Sequence, residues 1–207
     1  MQIECIPAGI LGTNCYFVIN EDTKEIAIID PGGYSKKMKT TITENGYIPA
    51  AILLTHGHFD HMMGVAPLLE DYPVPVYIMA AEEDILLDPQ KNLSAKYTEG
   101  CTLEGVTKVH DGDKIPAAGF VFTALKTPGH TVDGCCYYLE DREILFSGDT
   151  LFHASVGRFD LPTSCEEDLL RSIREKLFVL PEAVKVLPGH ASATTIGFEK
   201  DNNPYVK

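Results

Sequence analysis

Apolar residues fall in short runs separated by polar, glycine- or proline-bearing turns, and the spacing within each run predicts its element. Strands are expected near 2–6, 14–19 and 25–29, followed by a helix near 34–45 and a strand at 51–55. A helix is predicted to begin at Asp60 or His61 and run to Glu70, with a strand at 73–78 and a helix at 81–87. Residues 88–105, with Pro89, Gly100 and Gly105, are polar and poorly patterned and read as a variable loop or a boundary between halves. The second half repeats the mixture. Strands are expected near 106–109, 119–125, 135–139, 143–147 and 184–187, with a helix near 165–177 and a short final helix. Strands interspersed with helices in both halves predict two sheets packed face to face with helices outside. No low-complexity segment and no repeat of 20 to 50 residues is present.

The 207 residues suit a single domain, 1–207, with a substantial core, and 44% hydrophobic and 23% charged residues are ordinary for a globular chain. The balance matters more: 17 basic against 30 acidic residues give a net charge of −13. Nucleic acid is therefore not expected as a partner, because phosphate binding needs a basic face. The start, Met1-Gln2-Ile3-Glu4-Cys5-Ile6, lacks the pattern of an export signal, and no apolar run approaches the roughly 20 residues that span a bilayer. Six cysteines without C-x-x-C spacing are expected as reduced thiols of a cytoplasmic protein, with Cys135 and Cys136 in the core.

Against this background one segment has no packing rationale. The apolar run Ala51-Ile52-Leu53-Leu54-Thr55 ends in His56-Gly57-His58-Phe59-Asp60-His61, which spends three of seven histidines. Imidazoles with a carboxylate form a ligand set suited to zinc, iron or manganese. In extended chain His56 and His58 point the same way and can grip one ion, whereas Asp60 and His61 fall where the chain turns away and can reach a second. His130, Asp149 and His190 each follow a short β-prone run and stand directly behind a glycine. Strands ending in ligands can converge on one edge of a sheet structure, where an open metal site is readily built. Competing chemistries are weak: the stretch around Ser155 has His153 where a nucleophile elbow needs glycine, and Gly32-Gly33 lacks the Lys and Ser/Thr of a phosphate loop. His110 and His153 have no matching context, although His153 could line the mouth of the site.

The H-x-H-x-D-H motif followed by a lone His, a lone Asp and a final His resembles the metallo-β-lactamase superfamily over nearly the whole chain, including Ile28-Ile29-Asp30-Pro31-Gly32-Gly33. The resemblance implies an α/β, four-layer αββα sandwich. It implies that His56, His58 and His130 bind a first metal, that Asp60, His61 and His190 bind a second, and that Asp149 bridges them. Class B1 lactamases carry Cys at the position of Asp149, which argues against that activity. Ser155-Val156-Gly157-Arg158-Phe159-Asp160-Leu161-Pro162 and Pro188 to Thr195 resemble the short glyoxalase II-like hydrolases. Full-length glyoxalase II enzymes add a helical domain that holds glutathione; only residues 191–207 follow the last ligand here, so no counterpart is expected.

The expected activity is hydrolysis of a thioester of hydroxyacylglutathione type by two divalent ions, zinc first and iron or manganese as alternatives. Asp60 and Asp149 are the expected catalytic carboxylates. Arg158 is expected to anchor an acidic tail of a small-molecule substrate through its planar fork, the competing reading being a local pair with Asp160. Asp30 is read as a turn residue or one that supports the ligands. The alternatives are a hydrolase of another ester, lactone or amide, and a mononuclear iron persulfide dioxygenase using His56, His130 and Asp149.

Overall fold

Successive side chains of a strand face opposite ways, so an apolar strand buried on both sides belongs to two cores at once. In β2 (Thr13–Ile19), Cys15, Phe17 and Ile19 pack with one core, and Tyr16 and Val18 with another. In β9 (Cys135–Leu139), Cys135, Tyr137 and Leu139 join that second core, while Cys136 and Tyr138 enter a third. The computed structural model, which describes residues 1–206, resolves this alternation into four layers.

The first sheet runs in chain order: β1 (Gln2–Ala8), β2, β3 (Glu25–Ile29), β4 (Ile48–Leu53), β5 (Val76–Met79) and β6 (Thr107–Val109). The second has β7 (Lys114–Ala117) at one edge, then β8 (Phe120–Lys126), β9, β10 (Ile144–Gly148), β13 (Lys185–Pro188) and β14 (Thr194–Thr195). A small hairpin, β11 (Leu151–Phe152) and β12 (Ser155–Val156), stands apart. Residues of α1 (Lys36–Asn45), α2 (Phe59–Met62) and α3 (Val65–Asp71) cover the outer face of the first sheet through Met38, Ile42, Phe59, Met62, Val65 and Leu68. Outside the second sheet lie Leu169 of α6 (Glu166–Ser172), Ile173 and Leu177 of the π turn that continues it, and Ile196 of α7 (Ile196–Asn202). The architecture is the αββα sandwich expected from the sequence.

Strand direction then locates the site. β8 and β10 are both antiparallel to β9 and so run the same way, and β13 is parallel to β10. The carboxyl ends of β8, β10 and β13 therefore share one edge of the second sheet, and His130, Asp149 and His190 follow those ends.

Three departures have physical causes. The helix expected from Asp60 to Glu70 breaks between α2 and α3. The Gly64 N–H donates to Pro31 O at 2.8 Å instead of to the carbonyl four residues back, and Pro67 has no N–H to offer Met63 O. β7 was missed because Lys114-Ile115-Pro116-Ala117 is short and carries a proline, which an edge strand tolerates. Residues 88–105, which follow α4 (Glu83–Leu86), are not a bare loop: they hold α5 (Ser94–Tyr97), Asn92 is fully buried, and the Phe59 N–H donates to Asn92 O at 2.9 Å. No helix among the described residues is long and apolar enough to cross a membrane.

Candidate metal centre

Four chain segments deliver the candidate ligands. After β4, His58 caps the start of α2, so His56 and His58 stand in extended chain while Asp60 and His61 project from the helical turn. The glycines behind the downstream ligands are required by contact. Gly148 has φ +49°, and a Cβ on it would lie 2.4 Å from Thr55 Oγ1. A Cβ on Gly189 would lie 2.4 Å from Asp149 Oδ1 and 2.6 Å from His61 Cε1.

The structure brings all seven candidates together. His58 Nδ1 lies 3.0 Å from both His56 Nε2 and His130 Nε2, and all three residues are buried. Their tautomers follow from their other contacts. Thr55 Oγ1 donates to Asp30 Oδ2 at 2.7 Å, so at 3.1 Å it accepts from His56 Nδ1–H, leaving His56 Nε2 without a proton. His130 Nδ1–H donates to Arg158 O at 2.8 Å, which leaves His130 Nε2 bare as well. One His58 proton cannot satisfy two lone pairs at once. A cation between the three nitrogens can.

The second group surrounds Asp60 and His61. Asp60 Oδ2 lies 3.1 Å from His190 Nε2 and 3.6 Å from His61 Nε2, and it accepts Thr13 Oγ1–H at 3.0 Å. Asp149 reaches both groups: Oδ1 is 3.4 Å from His61 Nε2, and Oδ2 is 3.6 Å from His190 Nε2 and 3.7 Å from His130 Nε2. Buried His61 Nε2 and Asp149 Oδ1 have no hydrogen-bond partner. Such orphans are costly in a buried site unless a ligand joins them. The donor set thus forms two clusters of three with a carboxylate between, which fits two metal ions.

Electrostatics agrees. Burial holds the His56, His58 and His130 imidazoles below their ordinary pKa, His58 down to about 3, so they are neutral lone-pair donors. His61 behaves oppositely. Burial opposes its charge, yet Asp60, Asp30 and Asp149 outweigh it and hold the imidazole well above the usual range. Burial likewise opposes ionisation of Asp60 and Asp149, but His61 and the neighbouring histidines keep both carboxyls low. The field at this end draws in positive charge, which a divalent ion supplies more strongly than a proton.

A cavity of about 310 Å³ opens onto this cluster. Leu11, Phe59, Leu93, Tyr97, Phe152 and Leu161 form its apolar wall, and Arg158 is its one Arg or Lys side chain. The Arg158 guanidinium is held by Asp160, with Nε to Oδ1 and Nη2 to Oδ2 both at 2.8 Å. His153 is absent from the cavity wall; it is exposed and stacks on Phe198 with ring centroids 4.7 Å apart. His110 is also exposed.

Sequence reasoning missed the residues that hold the ligands. Asn14 Nδ2 donates to Pro188 O and Ala191 O at 3.0 Å each, the Asn14 N–H donates to Gly189 O at 2.7 Å, and Tyr16 OH donates to Pro188 O at 2.8 Å. β2 of the first sheet thereby clamps the His190 turn of the second. No motif signals this, because the partners are distant in sequence and the acceptors are backbone carbonyls. Asp30, read as a supporting residue, is buried and accepts both the Thr55 N–H at 2.8 Å and the Thr55 hydroxyl.

Comparison with known proteins gives the same frame. Residues 8–190 match the family model described as the metallo-beta-lactamase superfamily. A probable metallo-hydrolase of Bacillus subtilis, YqgX, is 38% identical over all of this chain and 98% of its own. The hydroxyacylglutathione hydrolase GloC of Haemophilus influenzae is 32% identical over the same shares. Among solved structures, BLEG-1 B3 metallo-beta-lactamase superposes with a TM-score of 0.93 at 37% identity, covering 100% of both chains. TTHA1623 in a di-iron-bound form gives 0.87 at 34%, covering 98% of this chain and 100% of that one. ETHE1 from Myxococcus xanthus gives 0.80 at 26%, covering 99% of this chain and 84% of the other. With its ligand motif, its αββα layers and a family match over most of its length, this chain belongs to the metallo-β-lactamase superfamily and is a metal-dependent hydrolase of that group.

Proposed function

We propose that the chain is a dinuclear hydrolase of small-molecule thioesters of glyoxalase II type, working in the cytoplasm with zinc at both sites. The observation that carries this reading is the placement of the Asp149 carboxylate between the His56–His58–His130 and Asp60–His61–His190 clusters. Likeness to GloC over the full chain supports the thioester, and the Asp at position 149 agrees with an all-oxygen-and-nitrogen second site.

When bound, two divalent ions would supply a hydroxide at neutral pH and polarise the substrate carbonyl. The rest falls to the protein. The apolar wall of Leu11, Phe59, Leu93, Tyr97 and Phe152 excludes water and seats the non-reacting part of the substrate. Asp60, kept ionised and oriented by Thr13, orients the attacking hydroxide and relays its remaining proton to the departing group after addition. A thiolate leaves with little assistance, so no separate acid is needed. Arg158 meets an acidic tail of the substrate by exchanging its fork from Asp160.

Two features favour other readings. The B3 lactamase name of a structure so similar supports an amide or lactone substrate on the same centre, since the B1 criterion at position 149 does not bear on class B3. The di-iron form of TTHA1623 supports iron in place of zinc at a two-metal centre; the persulfide dioxygenase reading shares the metal but needs only one ion. A panel decides between them: S-lactoylglutathione, a neutral lactoyl thioester, a β-lactam, and oxygen uptake with glutathione persulfide. Cleavage of either thioester at kcat/KM at least about 100-fold above the β-lactam, without oxygen uptake, is expected. Oxygen uptake without hydrolysis would overturn the proposal.

A further inference from the structure

The His56-Gly57-His58 turn follows a strand of the first sheet and the His130 turn follows one of the second, yet a single carboxylate joins them. Glu82 closes the 3-10 turn Ala80–Glu82 and is fully buried. Its Oε2 accepts the Gly57 N–H at 2.8 Å, and its Oε1 accepts the Asp133 N–H at 2.9 Å. The link is reciprocal, because Asp133 Oδ2 accepts the Ala81 N–H at 2.8 Å and Lys126 pairs with the other Asp133 oxygen. Glu82 does not line the cavity that opens onto the ligands.

A buried carboxylate with no cation beside it is expensive, and an apolar residue would stabilise a core more. Burial pushes the Glu82 carboxyl up to about 7 despite its N–H donors. Both backbone donors flank ligands: Gly57 stands between His56 and His58, and Asp133 three residues after His130. The other cluster is held differently, by Asp30 at His61, Thr13 at Asp60 and Asn14 at the His190 turn. A packing role alone would not select two amides that bracket one ligand cluster and none near the other.

We propose that Glu82 is a positioning residue for one metal site only: its two oxygens fix the spacing of the two turns and so hold His56, His58 and His130 in ligand register. The inference rests on the two-ion reading given above. Glu82→Gln is the informative variant, since a carboxamide offers one acceptor oxygen and turns an NH₂ toward the second N–H. Zinc(II) is titrated into chelator-stripped full-length protein against a competing chromophoric chelator, and melting temperature is followed with and without metal. In wild type about two equivalents bind. In Glu82→Gln one equivalent is expected to weaken roughly 10- to 100-fold while the other keeps its wild-type affinity. Adding Asp60→Asn to Glu82→Gln should remove the surviving tight equivalent, which identifies it as the Asp60–His61–His190 site. Glu82→Asp, a methylene short but still charged, should recover part of the lost affinity. Two tight equivalents in Glu82→Gln, or equal weakening of both in step with a fall in melting temperature across both variants, would overturn the positioning role. A wild type that binds one equivalent would instead overturn the two-ion reading beneath it.

Discussion

Asp30 Oδ2 lies 2.9 Å from His61 Nδ1, and the same oxygen accepts a hydrogen bond from the Thr55 hydroxyl, which in turn orients His56. One buried carboxylate thus sets a histidine in each ligand cluster without touching the cavity. Asp30→Asn keeps the shape but puts an NH₂ where the acceptor was. Metal affinity at both sites should fall roughly 10- to 100-fold, read by competition with a chelator. Unchanged affinity at either site would break this link.

The pairing of Arg158 with Asp160 makes the two side chains act in opposite directions on an anionic substrate. Arg158→Ala should raise KM for S-lactoylglutathione several-fold with kcat and metal content retained. Asp160→Ala frees the guanidinium and should lower that KM, and neither change should move KM for a neutral thioester. Equal effects on both substrates would place the pair in a structural role.

Gly189 leaves no space for a side chain. In Gly189→Ala the added methyl would press on Asp149 and His61, 2.4 and 2.6 Å away. The expected outcome is loss of kcat/KM by about 100-fold or more and a lowered melting temperature, because the methyl would push the Asp149 and His61 side chains out of their ligand positions. Near-wild-type kinetics would show that the turn has slack.

The Glu82 carboxyl, raised by burial to about 7, also predicts a pH dependence of stability in the metal-free protein. An acid whose pKa is higher folded than unfolded binds more protons in the native state between the two values. Its contribution is complete below the unfolded value of about 4.5 and is lost as pH rises through about 7. Chemical denaturation of wild type should therefore show a stability loss over that window, on the order of 3 kcal/mol at most, that Glu82→Gln lacks. Parallel profiles would refute it.

Much of this was legible from the chain itself. The ligands were visible because chemistry forced an improbable residue pattern, His56 to His61, onto the end of an apolar strand. The αββα layers were readable because strands alternate with helices in both halves and the ligand motif resembles a family of that architecture. Local diversions of hydrogen bonds were not readable. The Gly64 N–H leaves its helix for Pro31 O, a partner fixed only by tertiary approach. Glu82, Thr13 and Asn14 look like ordinary surface or turn residues until the fold brings them to ligand-bearing segments. Residues 88–105 carry little periodicity, yet Leu93 and Tyr97 wall the cavity, with Tyr97 stacked on Phe59 at 5.1 Å. The reach of His153 toward the site was misjudged, since the β11–β12 hairpin turns Phe152 inward and His153 onto Phe198.

Metal content of the purified protein, by elemental analysis on a preparation also assayed for S-lactoylglutathione hydrolysis and oxygen uptake, tests the two-cluster centre most directly. About two equivalents per chain with thioester cleavage, falling to one or none with activity lost in Asp149→Asn, is the predicted result. One iron per chain with oxygen uptake and no hydrolysis would contradict it, and the roles given to Asp60, His61 and His190 would fall.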